Sequence, residues 1–177
     1  MAQSVKKARF PTKILTLGAM FVALQVVLSK FLMIQATPSI RLSIDAVPIF
    51  LAAIWFGAIA DKKWVGPVAG GAVGLLADAV GTLLFPTAGA YFPPLTLGFI
   101  LIGVISGLLG MALLREKRSL WRIALVVIIT ELLASYLYKS LALSWLMGTP
   151  YIVMLGSRAL PVSIVTVANV FIVFALD

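Results

Sequence analysis

The sequence predicts an all-α polytopic membrane protein, six transmembrane helices in a single bundle with both termini cytoplasmic. Three observations carry this. Six long apolar stretches, separated by short charged or turn-rich breaks, account for nearly all of the 177 residues. Hydrophobic residues make up 62% of the chain and charged residues 11%, against about half and about a quarter in an ordinary soluble domain. The basic residues gather on one side of the six stretches. A helix needs about 20 apolar residues to cross the hydrocarbon core, so six of them leave room only for short connections. The chain therefore reads as one integral-membrane domain, 1–177, with a basic cytoplasmic segment at 1–12.

The first span is placed at Thr12–Ile34. Lys6, Lys7, Arg9 and Lys13 precede it and mimic the start of a signal peptide. The apolar run that follows is too long and ends without a small-x-small site, so it reads as a retained helix. The second span, Asp45–Ala60, is short at 16 residues. It reaches its full length only by borrowing from the Ile40–Ile44 lead-in or by thinning the bilayer around it. The remaining four are Trp64–Phe85, Thr96–Leu114, Leu120–Leu146 and Ser157–Phe174.

Six spans place Lys6, Lys7, Arg9, Lys13, Lys62, Lys63, Arg115, Lys117, Arg118 and Arg122 on one side, ten of the fourteen basic residues. Lys30, Arg41, Lys139 and Arg158 lie toward the opposite ends or inside spans. A cytoplasmic excess of Lys and Arg sets the orientation. It also accounts for the net charge of +8 through anionic lipid, so no nucleic-acid partner is needed. Cysteine and histidine are both absent, which removes disulfides, thiolate chemistry and the usual zinc arrangements. There is no Gly-x-x-x-x-Gly-Lys-Ser/Thr loop to cradle ATP phosphates. The chain reads as a non-enzyme without cofactor or metal. A Ser/Lys pair or an Asp78/Glu131 carboxylate pair is the catalytic arrangement left conceivable.

Charges inside hydrocarbon cost about 2.5–3.5 kcal/mol each at a helix centre, so they face the protein interior. Asp78 in span three, Glu131 and Lys139 in span five, and Arg158 at the start of span six are of this kind. With the assigned direction, Asp78 and Lys139 lie about 10 Å below the outer ends of their helices, in a cluster that opens outward. Glu131, Ser135, Tyr138, Ala142 and Trp145 recur at helical spacing as one face, with Lys139 on its edge. Gly71, Gly74, Asp78, Gly81 and Phe85 form a comparable face, where glycines admit a neighbour or ligand beside one carboxylate. The structural alternative is that Asp78 or Glu131 pairs with Lys139 or Arg158 to lock helices together.

Between spans three and four runs Phe85-Pro-Thr-Ala-Gly-Ala-Tyr-Phe-Pro-Pro94, a charge-free segment stiffened by three prolines. Such a segment can lay Tyr91 and Phe92 over a flat ligand, although interfacial aromatics also serve as membrane anchors. The first and fifth outer loops, Gln35–Arg41 and Met147–Tyr151, are turn-rich and ring the same opening. Ala19/Ala23, Gly66/Gly70/Gly74 and Gly103/Gly107 are small-xxx-small patterns, which let helix backbones approach closely, within the bundle or against a partner.

These residues resemble a family, the substrate-binding or S components of bacterial energy-coupling-factor vitamin transporters, and most of all the folate-specific type. Arg41-Leu-Ser-Ile-Asp-Ala-Val-Pro48, the Phe56-Gly57 pair and the glycine-rich third span with Asp78 look like the general pattern. The loop Leu84-Phe85-Pro86…Gly89-Ala-Tyr91-Phe92-Pro93…Thr96-Leu97 is similar to the folate-type loop. The chain departs from that type at Pro94-Leu95, where Gly-Phe is usual, and is only loosely similar around Arg158-Ala-Leu-Pro161. The resemblance implies an outward-opening site for folate or a related vitamin, in a bacterial cell membrane. It also implies a partnership with a transmembrane coupling protein and two ATPase subunits, docked on the Ala19/Ala23 face. Asp78, Tyr91, Phe92 and Trp145 would then cover or read a pterin, and Arg41, Lys139 or Arg158 would hold the glutamate tail. The alternatives are an S component for pantothenate or riboflavin, and a stand-alone transporter or channel. An inverted repeat would favour the last, and the two halves show no evident similarity.

Overall fold

The computed structural model describes residues 12–35, 41–59, 64–85, 92–114 and 119–177. Its elements are α1 (Thr12–Phe31), β1 (Met33–Gln35), β2 (Arg41–Ser43), α2 (Val47–Ile59), α3 (Val65–Leu84), α4 (Pro93–Leu113), α5 (Leu120–Met147) and α6 (Tyr151–Leu176). Five of the helices are long and apolar enough to cross a membrane, and α2 is shorter. This is the make-up of a multi-pass helical membrane protein.

Two expectations are corrected at the start of the chain. The fold is helical as expected, and between the first two helices β1 and β2 form a short antiparallel ribbon with Ile34 opposite Leu42. Backbone leaving a helix beside hydrocarbon has to find partners for its N–H and C=O groups, and the ribbon supplies them. The ribbon takes Met33 and Ile34 out of the first helix, which ends at Phe31. It also takes the lead-in that the second helix was expected to borrow, leaving α2 with 13 residues.

At 1.5 Å per residue, α2 is about 20 Å long, well short of a hydrocarbon core about 30 Å thick. Its surroundings resolve the mismatch. Every residue from Val47 to Ile54 is buried, and so is Phe56. A helix that is apolar all round belongs in a core, and α1, α3, α4 and α6 pack around this one. Phe21 of α1 meets Trp55 and Phe56 edge to face, at 5.9 and 6.0 Å between ring centroids.

Antiparallel α3 and α4 form the closest seam. A Cβ added at Gly74 would lie 2.5 Å from the Phe99 carbonyl oxygen, and one at Gly107 would lie 2.5 Å from the Pro67 nitrogen. At Gly103 it would run into the backbone of Gly70. These glycines are structural requirements, since only their missing side chains let the two backbones touch. The Gly66/Gly70/Gly74 and Gly103/Gly107 motifs thus act within the molecule. Ala19 and Ala23 do not, because both are exposed on the outer face of α1.

Two further corrections concern the last two helices. The Glu131–Tyr138 portion of α5 is wound as a π-helix. Each residue in a π-helix turns the chain through a smaller angle than in an α-helix, so faces beyond it fall out of phase with those before it. The stripe that begins at buried Glu131 accordingly runs through Ala134, Ser140 and Ala142, while Trp145 is 76% exposed. Meanwhile α6 begins at Tyr151 and not at Ser157, since the chain reverses at Gly148 (φ 65°) and Pro150 leads straight into the helix. Arg158 therefore sits two turns inside the helix. Pro161, also internal, is tolerated because neighbouring helices re-satisfy backbone in a membrane bundle.

Candidate ligand site

The glycine seam continues in register to the one polar pair on its line. Phe99 lies opposite Gly74, and one turn further along α3 the Thr96 hydroxyl donates to Asp78 Oδ2 at 2.6 Å. Asp78 is six residues from the end of α3 and Thr96 three from the start of α4. Both lie within about 10 Å of the same end of the bundle. Thr82 donates to the Asp78 carbonyl at 2.8 Å, anchoring the turn that carries the carboxylate.

A small open pocket lies beside this pair, lined by Gln25, Ser29 and Lys30 of α1, Asp78 and Thr82 of α3 and Phe99 of α4. Ala77 and Gly81 complete its wall. Lys30 packs against Gly81, its Cε 3.5 Å from where a Cβ would be, an ordinary contact distance. Lys30 Nζ donates to the Phe85 carbonyl at 3.3 Å. The pocket thus offers a carboxylate, an amide, hydroxyls and a phenyl ring within an otherwise apolar bundle. Its enclosed part, about 30 Å³, is about the room of one water, so it can take the polar edge of a ligand and not a whole one.

Phe99 joins this pocket to a second group. Lys139 Nζ stands over the Phe99 ring, 3.4 Å from its centroid, a cation–π contact. The lysine stem lies against Gly98, where a Cβ would come within 2.7 Å of its Cγ. Next along α5, Ser140 Oγ accepts from Arg158 Nη1 at 2.9 Å. Lys139 and Arg158 therefore share one neighbourhood, behind Phe99. Phe92 and Trp145 meet edge-on nearer the end of the bundle, at 6.1 Å and 62°. Glu131 stands within electrostatic reach of both Lys139 and Arg158. It is 2% exposed and accepts from Asn169 Nδ2 at 2.9 Å, which ties α5 to α6.

Of the residues expected from sequence, Asp78 lines the pocket, Lys139 borders it through Phe99, and Arg158 lies beside Lys139. Phe92 and Trp145 form a separate pair. Tyr91 falls outside the described residues, and Arg41 is described only as the first residue of β2. Gln25, Ser29, Lys30, Thr82, Thr96 and Phe99 were not expected. A signal for two of them is present in the sequence: Gln25 and Ser29 stand four apart, on one face of an otherwise apolar span.

No family model matches the chain. Over 156 residues it is 29% identical to "Folate transporter FolT" of Clostridium novyi (strain NT), an alignment that covers 88% of this chain and 83% of that protein. The likeness is to a folate transporter and extends over most of both chains.

Proposed function

We propose that the chain is the membrane-embedded folate-binding subunit of an energy-coupling-factor importer in a bacterial cell membrane. It captures the vitamin from outside and delivers it by docking on a transmembrane coupling protein served by two ATPases. The observation that carries this reading is the pocket beside Asp78 and Phe99, in a chain similar to a folate transporter. The mechanism is binding, with no covalent step. The pterin enters the pocket by its polar edge, beside Phe99, and its N–H groups donate to Asp78. The cationic group of Lys139 and Arg158 takes the dianionic glutamate tail together with Arg41, and Tyr91, Phe92 and Trp145 cover the mouth.

Orientation follows from the basic residues. Both termini and the Lys62/Lys63 and Arg115–Arg118 connections face the cytoplasm, so the pocket opens outward. Energy comes from the partner ATPases, since the sequence has no phosphate loop of its own. The Ala19/Ala23 face, exposed between the apolar side chains Leu15, Met20, Leu24 and Val27, is the docking surface for the coupling protein.

Calorimetry on the detergent-purified chain tests the reading. Folate should bind without ATP at one site per chain, and protein purified from folate-fed cells should carry pterin absorbance. Heat with pantothenate or riboflavin and none with folate would reassign the vitamin. Heat with none of the three would overturn the S-component reading.

A further inference from the structure

The Gln25 side chain is 2% exposed, it lines the pocket that holds Asp78, and its Oε1 accepts no hydrogen bond among the described residues. Leaving a buried acceptor unmade costs about 1–3 kcal/mol, so an orphan of this kind calls for an explanation. The pocket supplies one. Thr96 already satisfies one oxygen of Asp78, and a carboxylate has about four acceptor sites. Asp78 and Gln25 therefore line one small space with acceptor capacity to spare, and Phe99 lines the same space with a phenyl ring. The space is small, about 30 Å³, so what fits this set is the edge of a ligand that carries several N–H donors, with the body of the ligand in the mouth.

We infer that Gln25 is a specificity-determining residue, which together with Asp78 selects a heterocycle bearing an amino group next to a ring N–H. This rests on the folate reading above and deepens it. The edge meant is the 2-amino, N3–H edge of a pterin, with three N–H bonds. Two acceptors lining one small pocket welcome those donors and oppose a carbonyl in the amino position, because oxygen would then face oxygen. A site built around hydrogen bonds discriminates by leaving its own buried groups unpaired when the wrong ligand enters.

The test compares pterin with lumazine, the same bicycle with a carbonyl in place of the 2-amino group, as competitors for labelled folate. On the unaltered chain, pterin should compete at least tenfold better than lumazine. In Gln25→Met, which keeps the length of the side chain and removes its acceptor, folate and pterin should each weaken about tenfold, as expected for one hydrogen bond. The pterin-to-lumazine ratio should shrink by a similar factor. Because that ratio is measured on one preparation, a partly unfolded fraction cancels from it. Should Gln25→Met fail to fold, the comparison on the unaltered chain still decides. Folate binding without discrimination between the two bicycles, or a ratio unchanged in Gln25→Met, overturns the inference and leaves the folate reading standing. In that outcome a bound water satisfies Oε1. If the unaltered chain binds neither folate nor pterin, both readings fall together.

Discussion

At Asp78 the chain places a carboxylate in a bundle where an unpaired charge would be expensive, and it meets that cost with the Thr96 hydroxyl at 2.6 Å. Asp78→Asn keeps the shape and can still accept from Thr96, but it removes the charge that a ligand's N–H groups would meet. Hydrogen bonds to charged groups are worth about 1.5–3 kcal/mol, so folate affinity should fall roughly ten- to a hundredfold, with little change in melting temperature. An unaltered affinity in titration would make Asp78 purely structural. Lys139 and Arg158 allow a complementary test. If they take the glutamate tail, Lys139→Met and Arg158→Gln should weaken folate roughly tenfold or more and leave tail-less pterin nearly untouched. Equal losses for both ligands would mean that these cations hold helices together. Intramembrane charge is conspicuous in a sequence, which is why these three residues were found there. Gln25 was not, because a neutral amide in an apolar run becomes informative only once its burial and its missing partner are known.

Among the elements, the α3–α4 seam was the most legible, since glycines repeating every four residues are the sequence's own record of close backbone contact. Its prediction is correspondingly sharp. Gly103→Ala drives a methyl into the Gly70 backbone, and backbone cannot turn aside as a side chain does. The cost should be about 1–3 kcal/mol, seen as a lower thermal midpoint and weaker folate binding, because the Asp78–Thr96 pair lies on the same line. Gly156→Ala is the control. Nothing stands within 4 Å of its added carbon, and removing a helical glycine should leave stability equal or improve it by up to about 1 kcal/mol. Other elements were hidden for physical reasons. Strands of three residues, as in β1 and β2, are too short to show an alternation. The π-helical stretch at Glu131–Tyr138 is a matter of hydrogen-bond register, and an apolar pattern carries no trace of register. The start of α6 was missed because Thr149-Pro150 reads as a break, whereas a proline just ahead of Tyr151 opens a helix without disturbing it.

For the molecule as a whole, the proposed function turns on whether the exposed face of α1 docks on the coupling protein. Ala19 and Ala23 are exposed one turn apart on α1, and small residues let a partner helix come close. Ala19→Trp or Ala23→Trp should abolish uptake and co-purification with the coupling protein while leaving folate affinity of the isolated chain nearly unchanged. Normal uptake in both variants would place the docking face elsewhere, and a loss of binding would make the alanines part of the internal packing.

The position of α1 gives this a mechanical side. Gln25 looks into the bundle and Ala23, two residues earlier, looks out of it, on a helix only 17% buried along its apolar window, against 44% for α4. The α3–α4 seam is backbone against backbone and has no slack, so it serves as an anvil, while α1, like α6, is buried over only 17% of its apolar window and, unlike α6, lines the pocket. A guest that shifts α1 as a body moves both faces together, so a neighbour resting on Ala19 and Ala23 would then meet a full pocket and an empty one differently.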